Sequence, residues 1–355
     1  MKVLYFAVEE LDYPRNTRIR QYLEENGHTV RVVLRPQRSN KPLEYLALLK
    51  EGLKHCRGYD VVLLAEFSNN SFPVSWLIAK LNGALHVVDF FIGKYETIVE
   101  DRQTINPRRL SARLLKFLDK AAVHSADLVF VDTQVRADAI LARLTGKIPV
   151  LNLPVGSPAW ATATKARTCA PDEPLRALYY GHYAPLHGVD VLLDGILKAG
   201  RNIPLVATFV GEGTLKSELM ARVNRLGLSD SIDFFGFEEP AKLAQRIQGS
   251  DIVFGIFGFS PKAGSVIANK VWQGLYAGKT VITRSSPALS EIAGIAGEKL
   301  IQVEPGNSGA IASALQMAQG NRSLNATETP MAVLLEQYVS AQFDTAFAHP
   351  LFSNH

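Results

Sequence analysis

Short runs of β-branched and aromatic residues recur along this chain, each followed by a stretch with helical spacing, and that alternation leaves few folds open. In the first half the runs are KVLYFAV (2–8), TVRVVL (29–34), DVVLLAEF (60–67), HVVDFF (86–91), DLVFVDT (127–133) and PVLNLPV (149–155). Helical patterns lie between them near Pro14–Asn26, Leu43–His55, Val74–Leu81, Pro107–Ser125 and Gln134–Leu144. Strands that are apolar throughout, rather than on alternate residues, are buried on both faces, so the expected unit is a parallel sheet covered by helices on each side. Residues 156–175 interrupt the rhythm with Gly, Pro, Ala, Thr and Ser. It then restarts with RALYYG (176–181), LVATFVG (205–211), IDFFGF (232–237), DIVFGIFG (251–258), TVITRS (280–285) and KLIQVEP (299–305).

A length of 355 residues exceeds what one core comfortably supports, so the interruption is expected to separate two α/β domains. The expected division is 1–160, a linker at 161–175, a second domain at 176–328, and a C-terminal helix and tail at 329–355 that packs back on the first domain. Two doubly wound domains facing each other place the carboxyl ends of two sheets across one cleft, where open α/β sheets bind ligands. With two cysteines, Cys56 and Cys169, and no CxxC, neither a disulfide framework nor a structural zinc site is expected. No apolar stretch has the length of a membrane span or the form of a signal peptide, so a cytoplasmic protein is expected.

The net charge of +4 is uneven: residues 1–160 hold 22 Lys and Arg against 17 Asp and Glu, while the rest of the chain nets −1. No stretch combines dense Lys and Arg with stacking aromatics, which argues against nucleic acid as a partner. Arg109, Arg113, Lys116 and Lys120 recur at helical spacing beside Leu110, Leu114, Phe117 and Ala121. Two readings follow: a solvated basic face over a buried apolar stripe, or a helix that docks on anionic lipid at the inner face of a membrane.

Chemistry-bearing residues gather where strands end. Pro14-Arg15-Asn16 opens a helix after the first strand, which would let Arg15 or Asn16 meet a phosphate or an acceptor hydroxyl. Gly181 closes the seventh run and leads into His182 and His187-Gly188 at the next helix start. Gly211-Glu212-Gly213 follows the eighth run, but Lys216 stands where a dinucleotide fingerprint requires its third glycine, and no GxxxxGK[ST] loop exists. The stretch from Gly255 to Lys279 empties a strand into a Gly/Ser/Pro loop with Lys262 and Lys270 close by, a combination of backbone N–H groups and cations suited to a diphosphate.

Taken in order, GHYAPLHGVDVLLDGI, FVGEGTLKSEL, IDFFGF, the GIFG loop, and NKVWQGLYAGKTVIT followed by SSPALSEI span residues 176–300. This series resembles the retaining family 4 glycosyltransferases of the GT-B fold. The resemblance implies two facing Rossmann-like domains, the second holding a nucleotide diphosphate sugar and the first a glycan, lipid-linked or small-molecule acceptor. It implies Gly181 and His182 near the diphosphate, His187 as a catalytic residue in the place where many members carry a Lys, Gly188, Gly211, Glu212 and Gly213 on the donor side, the backbone around Phe237 at the base, and Asn269, Lys270 and Gln273 at phosphate, sugar and ribose. Asp89 corresponds to the family's catalytic-region His. The family's E-x7-E pair reads Ser265 and Gln273, so sugar recognition is expected to shift toward Lys262 or Ser260. Neither a cofactor nor a metal is implied, and the sequence has no DxD motif. Two other readings of the same pattern are a nucleotide-sugar epimerase or hydrolase, and a non-catalytic protein that binds a nucleotide sugar.

Overall fold

The computed structural model describes residues 1–36, 41–55, 57–144, 148–162, 173–321 and 331–353. Both cysteines and most of the expected linker lie outside these residues. All twelve apolar runs form strands: β1 (Lys2–Val8), β2 (Thr29–Leu34), β3 (Val61–Leu64), β4 (Leu85–Asp89), β5 (Leu128–Val131), β6 (Val150–Asn152), β7 (Leu175–Tyr180), β8 (Leu205–Val210), β9 (Ile232–Phe235), β10 (Ile252–Phe254), β11 (Thr280–Arg284) and β12 (Leu300–Val303). Every pairing is parallel.

The strands make two six-stranded sheets, ordered β2-β1-β3-β4-β5-β6 and β9-β8-β7-β10-β11-β12. The second is the doubly wound 3-2-1-4-5-6 order, in which the chain reverses direction between β7 and β10. There the helices leaving adjacent strand ends lie on opposite faces, and the gap between them exposes the carboxyl ends of the strands. The first sheet has its reversal between β1 and β3.

Two compact units result: Met1–Val155 with Val339–His355, and Gly156–Tyr338. The first core is built from Leu4, Phe6, Leu48, Val62, Leu64, Ile78, Val88 and Val129, and the second from Tyr179, Leu192, Leu193, Phe209, Phe254, Ile282, Ile311 and Leu315. The helix Met331–Phe347 contributes its early turns to the second unit, where Tyr338 stacks on Trp272. Its last turns belong to the first, where Phe343 and Phe347 pack on Tyr22 and Phe130.

Two features escape the hydrophobic pattern. Ala7, at a bulge in β1, and Phe67, just past β3, both adopt left-handed backbone conformations with φ of 59°. That geometry is costly for a residue with a Cβ. The loop after β10 is not open chain throughout: Ser260 accepts a hydrogen bond from the Ala263 amide and caps a short helix, Pro261–Ser265.

Candidate functional site

In the second unit, Gly181 follows β7 with φ +127° and Gly211 follows β8 with φ +133°. A Cβ on Gly211 would lie 2.0 Å from the Gly181 carbonyl oxygen, so the two loops approach to a distance that only glycine allows. Gly188 (φ +56°) and Gly258 interlock in the same way, since a Cβ on either would meet the other's loop backbone at less than 3.0 Å. Gly211→Ala is accordingly expected to destabilise this unit by about 2–5 kcal/mol, through strain and steric overlap together. Urea unfolding of the variant measures it.

Around this junction the side chains converge. Lys270, in the second position of the helix Asn269–Tyr276, reaches back so that its Nζ stands 4.2 Å above the Tyr179 ring. The same Nζ lies 3.2 Å from where a Gly181 Cβ would be. This ammonium is buried and has no hydrogen-bond acceptor among the described residues. Burial pushes it down to about 7. His187 lies beside it, with Cε1 3.5 Å from the same Gly181 position. Its Nδ1 contacts the Tyr179 hydroxyl at 2.7 Å and the His182 carbonyl, while Tyr179 donates to that carbonyl at 2.6 Å. Burial first, and the Lys270 charge second, hold His187 well below the ordinary histidine value, so the ring is neutral. The exposed Phe237 ring meets the His182 ring edge-on at 4.9 Å.

Other expected residues are placed differently from the sequence reading. The backbone amides of Gly181, His187, Gly188, Gly211, Gly255, Ile256, Phe257 and Gly258 all donate within the protein, chiefly continuing strand ladders or tying the His187 and GIFG loops together. They are therefore not the anion-facing donors expected of a glycine-rich loop. Glu212 pairs with Lys216 at 2.7 Å, and Lys216 also donates to the Phe235 carbonyl. Gly213 packs against Tyr183, leaving no room for a Cβ. The Gln273 side-chain carbonyl accepts from Tyr180 at 2.7 Å, so the amide is held by the protein. Ser265 donates to the Lys262 carbonyl at 3.1 Å, and Lys262 is buried. Asn269 opens the Lys270 helix and is partly exposed. Sequence reasoning missed Tyr179 and Tyr180, which read simply as strand residues. It also missed Arg284, which donates to the Gly258 carbonyl at 2.7 Å.

In the first unit, Arg15 and Asp89 form a buried ion pair, with Nε–Oδ2 2.7 Å and Nη2–Oδ1 2.6 Å. Arg15 also donates to the carbonyls of Leu153 and Val131, and its guanidinium stacks over Phe91 at 4.9 Å. Its donors tie together the ends of β4, β5 and β6, which corrects the expectation that it meets a phosphate. Asp89 has no exposed surface and is bonded through both oxygens, a structural anchor in place of the catalytic residue implied by the resemblance. Asn16 accepts from the Tyr5 hydroxyl at 2.5 Å and donates to Glu66 at 2.6 Å, which turns it away from the acceptor-binding role. Burial, reinforced by Asp89, raises the Glu66 carboxyl to about 9, so it is protonated at neutral pH. Glu66 was absorbed into an apolar run in the sequence and carried no signal of its own. Nearby, the rings of Tyr13, Phe67 and Phe91 pack together.

No curated protein matches this chain in sequence. Among solved structures, a sucrose-phosphate synthase from Thermosynechococcus elongatus superposes with a TM-score of 0.72 at 17% identity, covering 100% of this chain and 99% of that one. HepE from Anabaena, solved with UDP, gives 0.66 at 16% identity and covers 98% of each chain. TarM from S. aureus, solved with UDP, α-GlcNAc-glycerol and fondaparinux, gives 0.60 at 11% identity, covering 86% of this chain and 58% of that one. These likenesses establish the two-domain α/β architecture of the GT-B class. Residues 174–320, which carry Gly181, His187 and Lys270, match the model of the glycosyl transferases group 1 family.

Proposed function

We propose that this protein is a glycosyltransferase that moves a sugar from a nucleotide diphosphate sugar to a glycan, lipid-linked or small-molecule acceptor, with retention at the anomeric carbon and without a metal ion. The observation that carries this reading is the buried, unpartnered Lys270 ammonium at the reversal point of the second sheet. A buried cation without a partner is unfavourable, and a site that keeps one is organised for an anion that arrives later. A diphosphate seated against Gly181 would compensate that charge. It would also favour protonation of His187, whose Nε2–H then becomes a second donor. Phe237 and His182 offer an aromatic edge for the base.

When the glycosyl phosphate bond breaks, negative charge develops on the leaving diphosphate. Lys270 is fixed in a buried position with His187 beside it, where water screens the ammonium least and its stabilisation of that charge is strongest. Cations already at the phosphate supply the charge that a metal would otherwise bring. Among the described residues no group of three or more His, Cys, Asp or Glu is arranged to hold one. HepE was solved with UDP-glucose, and that chemistry is the first to test here. The Tyr13, Phe67 and Phe91 rings at the carboxyl ends of the first sheet are suited to an acceptor sugar face.

The test is a thermal-shift screen with UDP, GDP, ADP and TDP sugars, followed by transfer assays on the responsive donor. Binding at 100 times Kd is expected to stabilise the fold by about 2.7 kcal/mol. EDTA is expected to leave both binding and transfer unchanged, and the product is expected to keep the donor's anomeric configuration by NMR. No response to any nucleotide would remove the donor-site assignment. Binding without transfer to any acceptor favours the non-catalytic reading, for which the loss of both carboxylates at Ser265 and Gln273 is the motive.

A further inference from the structure

The basic helix of the first unit resolves into something broader than either sequence reading. In the helix Leu110–Ser125 the residues turned to the sheet are Ala112, Asp119, Ala122 and Val123. The apolar stripe expected to be buried is instead in solvent: Leu110 is 79% exposed, Phe117 65% and Leu114 56%. Arg109, Arg113, Lys116 and Lys120 are exposed along its edge.

Two further helices continue this surface. The crossovers from β2 to β3, β3 to β4 and β4 to β5 all run in one direction across the sheet, so right-handed connections put their helices side by side on one face. The helix Phe72–Asn82 buries Val74, Ser75, Ile78 and Ala79 and exposes Trp76, Leu77 and Leu81 beside Lys80. The helix Lys41–Lys54 exposes Leu43, Leu46 and Leu53 beside Lys50 and Lys54. Neighbouring helices of the three are in contact. Each thus turns an apolar stripe outward with lysine or arginine at its margin.

Two acids of the layer are buried, and a third, Glu51, is exposed but paired. Glu44 is buried and paired with Arg35 at 2.7 Å, Asp119 is buried and accepts from the Tyr95 amide, and Glu51 is paired with Lys54 at 2.6 Å. A solvated helix layer would carry polar residues at the positions where these leucines stand. Exposed apolar side chains flanked by cations on each helix match a bilayer interface, whose anionic headgroups meet the cations while the apolar groups enter the acyl boundary.

We infer that the helical layer formed by residues 41–54, 72–82 and 110–125 is a membrane-docking face that rests on anionic phospholipid. No described helix is long and apolar enough to cross a membrane, so the contact lies in the plane of the interface. A second copy of this chain is the weaker occupant, because a two-fold contact would set the same cations against each other, and the exposed Glu51 carboxylate is already paired with Lys54. The inference is independent of the glycosyltransferase reading, and it makes a lipid-linked acceptor the economical choice among the acceptors proposed above.

The experiment uses the full chain with vesicles of phosphatidylcholine, alone or with an equal amount of phosphatidylglycerol, at low salt. Sedimentation with the mixed vesicles and little with neutral ones is expected, each cation removed weakening binding on the order of fivefold. Arg109→Ala/Arg113→Ala tests the charge, and Leu114→Glu/Phe117→Glu tests the apolar stripe. All four positions are exposed, so unchanged melting temperatures are expected. Trp76 reports insertion directly: its emission is expected to shift to the blue and to be quenched by brominated lipid, a response lost in Trp76→Phe. The nucleotide thermal shift of the same variants is expected to match the unaltered protein, which separates this face from the donor site. Absence of sedimentation with anionic vesicles overturns the inference. So does binding that ignores both double variants, or binding without a Trp76 response. A dimer in solution that the Leu114→Glu/Phe117→Glu variant disperses assigns the face to a second copy and overturns it as well.

Discussion

Lys270→Met is expected to make the free protein more stable and to abolish its response to nucleotide diphosphates. The two effects have one cause. An ammonium held at about 7, where lysine ordinarily titrates at 10.5, carries a burial cost of roughly 5 kcal/mol. Methionine fills nearly the same volume without charge. The net gain is expected to be smaller, about 1–4 kcal/mol, because the cation–π contact over Tyr179 goes with the lysine.

The pH dependence gives the sign. Below about pH 7 the lysine is charged in both folded and unfolded chains, and the full penalty is present. Between about 7 and 10.5 the unfolded chain binds a proton that the folded chain does not, so stability from this group rises with pH. The advantage of Lys270→Met is therefore largest in acid and fades toward pH 10.5. Denaturant unfolding at several pH values measures it. A diphosphate reverses the shift, so donor binding above pH 7 is expected to take up protons, read by calorimetry in buffers of different ionisation enthalpy. A variant that is less stable than the original and still binds nucleotide would mean the ammonium has a partner other than a ligand.

Asp89→Asn has the opposite signature. Its partner Arg15 is 1% exposed and cannot reach water when the carboxylate is removed. Breaking a buried ion pair on one side strands the other charge, and the expected loss is about 3–5 kcal/mol. Arg15→Met/Asp89→Leu removes both charges and is expected to lose much less than the sum of the single replacements, because neither charge is left buried alone. Urea unfolding measures all of these. If Asp89 acted as a base, Asp89→Asn would lower transfer at unchanged stability. The expectation here is reduced stability, with transfer per folded molecule changed far less.

These two residues show where reading the chain succeeds and where it stops. Lys270 stands in a stretch crowded with Gly, Ser and a second lysine, and its type and place after a strand already marked it for a phosphate. Arg15 is marked by the same reasoning and Asp89 by the family resemblance, and the structure turns both inward. The difference lies in what stands opposite. Arg15 finds Asp89 across a separation of 74 residues, whereas Lys270 finds an aromatic ring and a glycine. Pattern gives the position of a charge along the chain; only packing gives its counterion. The same limit hid Glu66, and it left the basic helix of Arg109, Arg113, Lys116 and Lys120 undecided, because an apolar stripe beside a basic one has the same spacing whether the sheet lies under the first or the second.

The alternation of apolar runs and helical stretches determined the twelve strands, their parallel pairing, and the two-domain architecture. Those depend on local periodicity and on the requirement to bury both faces of each strand, and both are written in the order of residues. Tertiary structure alone decided that the glycine-rich loops bind each other instead of presenting their amides, that the Lys270 ammonium meets no acceptor among the described residues, and that a layer of helices turns its leucines outward. Each of those outcomes depends on which groups distant in the chain meet, and hydrogen-bond and charge satisfaction is settled only once they do.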